Sequence, residues 1–211
     1  YEVVLIDEMK RTLDKHKVEY IENDIQNKYP DFMVKSKKNN KYYAVDIKSS
    51  YMKNDNQING FTLGTYNGYF KDRTSSRYSA VPYNEFMKHF CICVVYSRKG
   101  NTLQVRTKAK KVSLRDKIKN TISKAIPKTI SKTKSWIKKT IPPGAISKKA
   151  KKTNVEHVFV KEKWQIASKV CGSGNTCNIG SVKDIKKLIS HKKSNFCFKS
   201  EKDFDGYWLK Q

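Results

Sequence analysis

The chain has 211 residues, a length that fits one domain with an appendage, and it carries 45 Lys and Arg against 19 Asp and Glu. The formal net charge of +26 narrows the partners to polyanions such as nucleic acid or an anionic membrane surface. No apolar run approaches the roughly 18 residues of a membrane span, and the start has neither a signal-peptide layout nor a Met.

We therefore expect a cytoplasmic protein without a membrane partner, in a form that is a fragment or has been processed. The five cysteines support the same location. Their number is odd and they contain no CxxC pair, which indicates reduced, mostly buried thiols and argues against a zinc site.

The first hundred residues alternate between helix and strand patterns. They predict a helix over 3–16, strands over 32–35 and 41–49 around an Asn39-Asn40 turn, a helix over 83–90 and a buried strand over 91–96. Further on, 155–160 and 165–170 are rich in strand-forming residues, and Ser181 with Asp184 predicts a capped helix. Strands mixed with helices predict an α/β fold with a mixed central sheet flanked by helices.

A basic, repetitive stretch at 107–152 interrupts this pattern. It holds 16 Lys and Arg against one acid, so it carries +15 of the +26. We treat 107–152 as an insertion or arm on one domain formed by 1–106 and 153–211. Three interpretations stay open: a solvated basic arm, a clamp on the DNA backbone, or a membrane-surface helix, although the last lacks a broad apolar face.

The segment YPDFMVKSKKNNKYYAVDIK at 29–48 gathers acids in a basic chain. With Asn39-Asn40 at the centre of the turn, Asp31 faces Lys48 and Asp46 lies on the diagonal, while Asp46 and Lys48 share one face of their strand. Two neighbouring carboxylates resist ionisation unless a cation joins them, and their oxygens suit Mg²⁺. The pattern indicates a metal-dependent phosphodiester hydrolase centre; the alternative is an exposed hairpin with a surface salt bridge.

The segment GSGNTCNIGS at 172–181 offers small residues and a flexible backbone. Cys177 prevents a match to GxGxxG, and the lysine of a P-loop is absent. Asn can pair with adenine and the Thr methyl can pack on thymine, so a loop that enters the major groove is one interpretation. An ordinary turn is the other.

Five segments resemble the EcoRV family of type II restriction endonucleases, within the PD-(D/E)xK nuclease superfamily: YPDF, AVDIKSSY, FTLGTY, KEKWQIASKVCGSGNTCNIGS and SEKDFDGYW, in this order. The resemblance implies a restriction-endonuclease-like core and Mg²⁺-dependent cleavage of double-stranded DNA at a short palindrome by a homodimer. GATATC, cut to blunt ends, is the candidate site. A cognate DNA methyltransferase acting on the same site is the implied functional partner.

The resemblance also implies residue roles. Asp31 and Asp46 are implied metal ligands with the Ile47 carbonyl, Lys48 is the implied catalytic lysine, and Glu2 matches a further acidic residue. The implied DNA contacts are Gln26 and Asn27 from the minor-groove side, Thr62 at a phosphate, and Gly172, Ser173, Gly174, Asn175, Thr176 and Asn178 in the major groove.

The chain departs from the family at several points. Ser49-Ser50 stands where the family has two threonines, Cys177 replaces a threonine, and 107–152 is longer than its counterpart. The alternative function is therefore a DNA-binding protein that does not cleave, for which the charge alone would give strong, salt-sensitive affinity.

Overall fold

The computed structural model describes residues 2–23, 25, 28–98, 153–173 and 176–211; of these, the side chains of 2–4, 98, 153, 173, 176 and 177 are not described. Its main element is a six-stranded mixed sheet. Its strands are β1 Tyr20–Glu22, β2 Phe32–Lys35, β3 Tyr42–Asn54, β4 Gln57–Ile58, β6 Phe86–Arg98 and β7 Thr153–Glu162. Five of them follow the order β1-β2-β3-β6-β7, and β4 pairs with an end of β3.

The two central strands, β3 and β6, run parallel, and the other pairs are antiparallel. A parallel pair requires a crossover connection, and residues 55–85 provide it. A smaller antiparallel sheet has the order β5-β9-β8, with β5 Thr62–Thr65, β8 Ala167–Ser173 and β9 Thr176–Ser181.

In the described residues, four α-helices flank the sheets: α1 Glu2–Lys15, α2 Lys163–Ile166, α3 Ile185–Ile189 and α4 Glu201–Trp208. A π-helical turn covers Asn67–Lys71, and 3-10 turns cover Tyr83–Glu85 and Lys193–Asn195. Helix α1 packs Leu5, Met9 and Leu13 on one face of the large sheet. The opposite face carries the larger core, which includes the small sheet and the two C-terminal helices. None of the helices in the described part of the chain is long and apolar enough to cross a membrane.

The predicted fold class, a mixed sheet flanked by helices, is confirmed. The strand predicted over 91–96 lies in the middle of β6, where its side chains alternate between the two cores and are buried on both faces. The helix predicted over 83–90 is wrong. Only the Tyr83–Glu85 turn follows Pro82, because Phe86 begins the strand that pairs with both β3 and β7.

Two further local predictions are corrected. The strand predicted over 165–170 begins at Ala167, since the two preceding residues belong to α2. Ser181 ends β9 instead of capping a helix, and its hydroxyl accepts a hydrogen bond from the Phe61 N–H. Asp184 is the N-cap of α3, and its side chain accepts from the Lys187 N–H at 3.1 Å.

The predicted insertion at 107–152 lies outside the described residues, and the division into core and arm stays a prediction. The described strands on either side are consistent with it. Arg98 at the end of β6 pairs with Thr153 at the start of β7, so the chain leaves and re-enters the sheet at adjacent positions.

Candidate active site

The hairpin of β2 and β3 brings the two predicted acids together. Its register pairs Phe32 with Val45 and Lys35 with Tyr42, and the Ser36 N–H donates to the Lys41 carbonyl at 2.8 Å. Continued by one residue, this register places Asp31 beside Asp46. The predicted register, in which Asp31 faces Lys48, is therefore wrong by two residues, because a four-residue loop at 37–40 replaces the two-residue turn.

Asp46 and Lys48 lie on the same face of β3, as alternation along a strand predicts. The Lys48 ammonium is 2.8 Å from the Asp46 carboxylate. Only 5% of the Asp46 side chain is exposed, whereas 24% of the Lys48 side chain is. The lysine therefore reaches solvent beside a carboxylate that is almost wholly buried. Its Nζ also lies 3.4 Å from the Ile47 carbonyl oxygen.

Asp31 is anchored from the neighbouring strand. Its Oδ2 accepts a hydrogen bond from the Ile47 N–H at 2.5 Å. Burial and, next, the charge of Asp46 raise the pKa of Asp31 to about 7, against the opposing effects of the Ile47 N–H and Lys48. Burial alone would lower the pKa of Lys48, but the charge and hydrogen bond of Asp46 raise it, so the lysine is a fixed cation.

The donor chemistry of this group fits a hard divalent cation. Two carboxylates and the Ile47 carbonyl offer only oxygen atoms, and Mg²⁺ is commonly held by one or two carboxylates while water and phosphate fill its other positions. No cluster of three or more His, Cys, Asp or Glu side chains that could enclose a metal occurs among the described residues. Two carboxylates and one carbonyl do not fill the octahedral shell of Mg²⁺, so positions of a bound ion would stay open for water and phosphate.

The predicted recognition segment forms the β8-β9 hairpin. Gly172 and Ser173 end β8, whereas Thr176 and Asn178 lie in β9. Gly174 and Asn175 lie outside the described residues. The two strands approach closely at Gly180, where a Cβ atom would lie 2.5 Å from the Val170 carbonyl oxygen. Glycine is thus required for the hairpin to close at this point.

Thr62 belongs to the same small sheet. It is exposed at the start of β5 and pairs with Gly180 of β9, so the predicted phosphate contact and the predicted recognition hairpin are parts of one unit. The structure does not describe the side chains of three other predicted site residues. Glu2 begins α1 but its side chain is not described, and Gln26 and Asn27 lie outside the described residues.

The sequence reasoning missed a group of residues behind the carboxylates: Tyr29, Tyr69, Tyr83 and Lys163. The three tyrosine rings surround the Lys163 ammonium. Tyr29 and Lys163 lie in the quoted segments YPDF and KEKW, but no spacing in the sequence relates a residue near position 29 to one at 163. Only the tertiary fold reveals the cluster.

A mixed sheet that presents Pro30-Asp31 and Asp46-Ile47-Lys48 around one point defines a nuclease of the PD-(D/E)xK class. Comparison with known proteins gives the family. The profile of the restriction endonuclease EcoRV family matches residues 1–126 and 131–211. The chain is also similar to the type II restriction enzyme EcoRV of Escherichia coli, with 30% identity over 201 residues that cover 95% of this chain and 67% of the relative.

The chain belongs to the EcoRV family of restriction endonucleases. The predicted enzyme class, a type II restriction endonuclease, is confirmed by this membership.

Proposed function

We propose that this chain hydrolyses phosphodiester bonds in double-stranded DNA at a short palindrome, with Mg²⁺ as its cofactor. The observation that carries the proposal is the convergence of Asp31, Asp46 and Lys48, in a motif typical of the family, around a set of oxygen donors.

Each residue of this group has a role in the proposal. Asp31, Asp46 and the Ile47 carbonyl would hold the metal, which supplies Lewis-acid activation of a phosphate oxygen and lowers the pKa of a bound water. Lys48 stays protonated next to Asp46, so its ammonium can donate hydrogen bonds where negative charge develops. Glu2 is proposed as an auxiliary acid.

The small sheet is the proposed DNA-reading surface. We assign the major-groove contacts to the hairpin that contains Gly172, Ser173, Gly174, Asn175, Thr176 and Asn178, because an asparagine amide can form two hydrogen bonds with the N6 and N7 atoms of adenine. Thr62, exposed beside this hairpin, is the proposed phosphate contact, and Gln26 and Asn27 are the proposed minor-groove contacts. The candidate site is GATATC with a blunt cut.

The palindrome implies a two-fold symmetric homodimer in which each subunit cleaves one strand. We also infer a cytoplasmic location and a cognate methyltransferase that protects the same sites in the host genome. The free thiols of Cys91 and Cys93 agree with a reducing compartment.

The proposal is tested by digesting a fully sequenced plasmid with the protein and Mg²⁺ and then mapping the ends. Discrete fragments are expected, and their ends report the recognition sequence and the cut geometry. Asp46→Ala is expected to slow cleavage by at least about 10²-fold while gel-shift binding persists, since it removes charge at the reacting centre alone. Asp55→Ala, which removes an exposed acid in the turn between β3 and β4, is the control and should cut at the wild-type rate.

Two results would contradict the proposal in different ways. Equal cutting by Asp46→Ala would remove the catalytic assignment. A wild-type protein that shifts DNA on a gel yet never cleaves it with any divalent metal would favour the non-catalytic DNA-binding alternative.

A further inference from the structure

Lys163 is a buried cation with an unusual environment. Only 1% of the residue is exposed, and its Nζ has no hydrogen-bond partner among the described residues. Its neighbours are aromatic faces: Nζ lies 3.8 Å from the ring centroid of Tyr29, 4.6 Å from that of Tyr69 and 5.1 Å from that of Tyr83. We call these three rings and the ammonium the tyrosine cage.

A charge in this position is costly for the fold. Removing an ammonium from water without an ion pair is unfavourable, and cation–π contacts recover only part of the loss. Burial accordingly lowers the pKa of Lys163 to about 8. An apolar side chain of similar length would fill the same space without this penalty. A buried cation near a catalytic centre is therefore a candidate for a functional role.

The cage is joined to the catalytic strands through Tyr29. This residue precedes Asp31 by two positions, and its backbone is fixed on both sides, by the Tyr29 N–H donating to the Tyr78 carbonyl and by the Ala80 N–H donating to the Tyr29 carbonyl. The Tyr29 hydroxyl is hydrogen-bonded to His89 Nδ1 at 2.8 Å. The cage cation thus contacts the ring that precedes a proposed metal ligand.

The other two rings connect the cage to its surroundings. Tyr69 and Tyr83 stack with centroids 4.7 Å apart, and Tyr83 also stacks on His89 at 3.9 Å. The Tyr69 hydroxyl occupies the space next to Gly64 on β5, the strand that carries Thr62. The charge of Asp46 acts on both Tyr69 and Lys163, which places the cage within electrostatic range of the carboxylates.

Lys163 also stands where the two sheets are joined. It opens α2, which connects β7 of the large sheet to β8 of the DNA-reading hairpin. A capping box between Glu162 and Gln165 fixes this short helix, and Glu162 additionally binds Lys88 and the Trp164 indole. The backbone from which the Lys163 side chain enters the cage is therefore held firmly.

We propose that Lys163 is a positioning residue for DNA cleavage: its ammonium fixes the Tyr29-Pro30-Asp31 segment through the tyrosine cage and thereby sets the position of Asp31 relative to Asp46. This inference rests on the proposed nuclease function. It predicts that a neutral side chain at 163 leaves the fold and DNA binding intact but slows the cleavage step.

The test compares Lys163→Met with the matched control Lys161→Met. Lys161 is also buried and lies two residues earlier, but its Nζ donates to the Ser190 carbonyl and it lies outside the cage. Three quantities are measured for each protein: the midpoint of thermal unfolding, the affinity for plasmid DNA with Ca²⁺, and the single-turnover cleavage rate with Mg²⁺. Amide hydrogen exchange of residues 28–31 and 78–80 is followed separately without metal.

Lys163→Met is expected to lower the cleavage rate by about 10²-fold, the scale of a small misplacement of reacting groups, while DNA affinity stays within about threefold of wild type. The amides of Tyr29 and Ala80 should exchange faster in this variant and at the wild-type rate in Lys161→Met. A wild-type cleavage rate in Lys163→Met, or a rate loss equal to that of Lys161→Met, would overturn the proposal.

The hydrogen-exchange measurement tests the positioning role of Lys163 independently of DNA cleavage. If the wild-type protein does not cleave DNA, the proposed function fails, and unchanged exchange in Lys163→Met would independently refute the positioning role. Lys163→Gln, neutral and polar, is judged by the same criteria if the Met variant does not fold.

Discussion

Three buried ionisable residues around the proposed catalytic centre share one physical property, unlike Lys48, whose charged form Asp46 stabilises. Burial raises the pKa of Asp31 to about 7 and that of Cys91 to about 12, and it lowers the pKa of Lys163 to about 8. In each case burial shifts the protonation equilibrium toward the uncharged form, because these side chains have left water. The stability of the protein must therefore depend on pH in a way that can be assigned to single residues.

Lys163 gives the clearest prediction of this kind. In the unfolded chain its ordinary pKa is 10.5, whereas in the folded protein it is about 8. Between these values the unfolded state binds more protons, so the free energy of unfolding rises with pH. Relative to Lys163→Met, the wild-type protein should gain about 2 kcal/mol between about pH 7.5 and about pH 9.5.

Urea denaturation of both proteins at the two pH values measures this gain. Cys91 and the tyrosines are present in both proteins, so their contributions to the pH dependence of the free energy of unfolding cancel in the comparison. An identical pH dependence in the two proteins would mean that Lys163 remains fully charged in the fold.

At the scale of single residues, the sequence predicts which residues form the site better than it predicts how they are arranged. Asp31, Asp46 and Lys48 are recognisable because acids are rare in this chain and because i and i+2 share a face of a strand. The register was mispredicted because Asn39-Asn40 favours a two-residue turn, whereas Asn40 alone takes the left-handed conformation, with φ of 55°. Nothing in the sequence singles out Lys163, since lysine is normally a surface residue.

Among the elements, the small sheet depends on glycines at positions where a side chain has no room. Gly64 in β5 has φ of +92°, and a Cβ atom there would lie 2.2 Å from the Tyr69 hydroxyl. Tyr69 in turn contacts Lys163. Gly64 therefore allows β5 to lie against the tyrosine cage.

Gly64→Ala is expected to lower the free energy of unfolding by about 2–4 kcal/mol, because it combines backbone strain with overpacking. Gly206→Ala in α4 is the matched control, since nothing lies within 4 Å of its added Cβ. It should raise the free energy of unfolding by about 0.5–1 kcal/mol, as expected for Ala in a helix. Urea denaturation measures both, and equal stabilities of the two variants would contradict the close approach of Tyr69 to β5.

Helix and strand prediction failed where tertiary pairing overrides local preference. Pro82 does open a helical turn, but the turn ends at Glu85 because Phe86 is needed in the strand between β3 and β7. The helix over 3–16 was predicted nearly to the residue as α1. Its apolar residues recur at helical spacing and face a single partner, the sheet.

On the scale of the whole molecule, most of the net charge lies in one stretch of the sequence, between two strands that pair with each other. Residues 99–152 hold 18 Lys and Arg and one Asp, so +9 of the +26 remains on the rest of the chain. Arg98 and Thr153, which flank this stretch, are partners in one antiparallel ladder. A two-residue Asn-Gly turn can therefore join β6 to β7 directly.

A variant with Asn-Gly in place of 99–152 is expected to fold and to keep the far-ultraviolet circular dichroism signal of the two sheets. It should bind non-specific DNA more weakly. The dependence of its binding constant on salt should also be less steep, by about 0.9 in log–log slope for each phosphate that the variant no longer neutralises. Binding titrations on random-sequence DNA at several salt concentrations measure this slope. A slope equal to that of the full chain would show that the basic stretch does not touch DNA.

The fold class followed from the alternation of strands and helices, but the strand order did not. The run FCICVVY predicts a strand buried on both faces, and β6 is such a strand. Its parallel pairing with β3 depends on the crossover through residues 55–85, whose short elements carry little periodicity.

The tyrosine cage draws its members from positions 29, 69, 83 and 163, so its assembly spans most of the polypeptide. During translation, a ribosome-bound chain that ends before α2 has both aspartates but lacks the lysine that we propose aligns them. Contacts between such distant positions also form late in folding, since long loops must close first. Under this proposal, a nascent nuclease would cleave nucleic acid only slowly until α2 has been synthesised and Lys163 has entered the tyrosine cage.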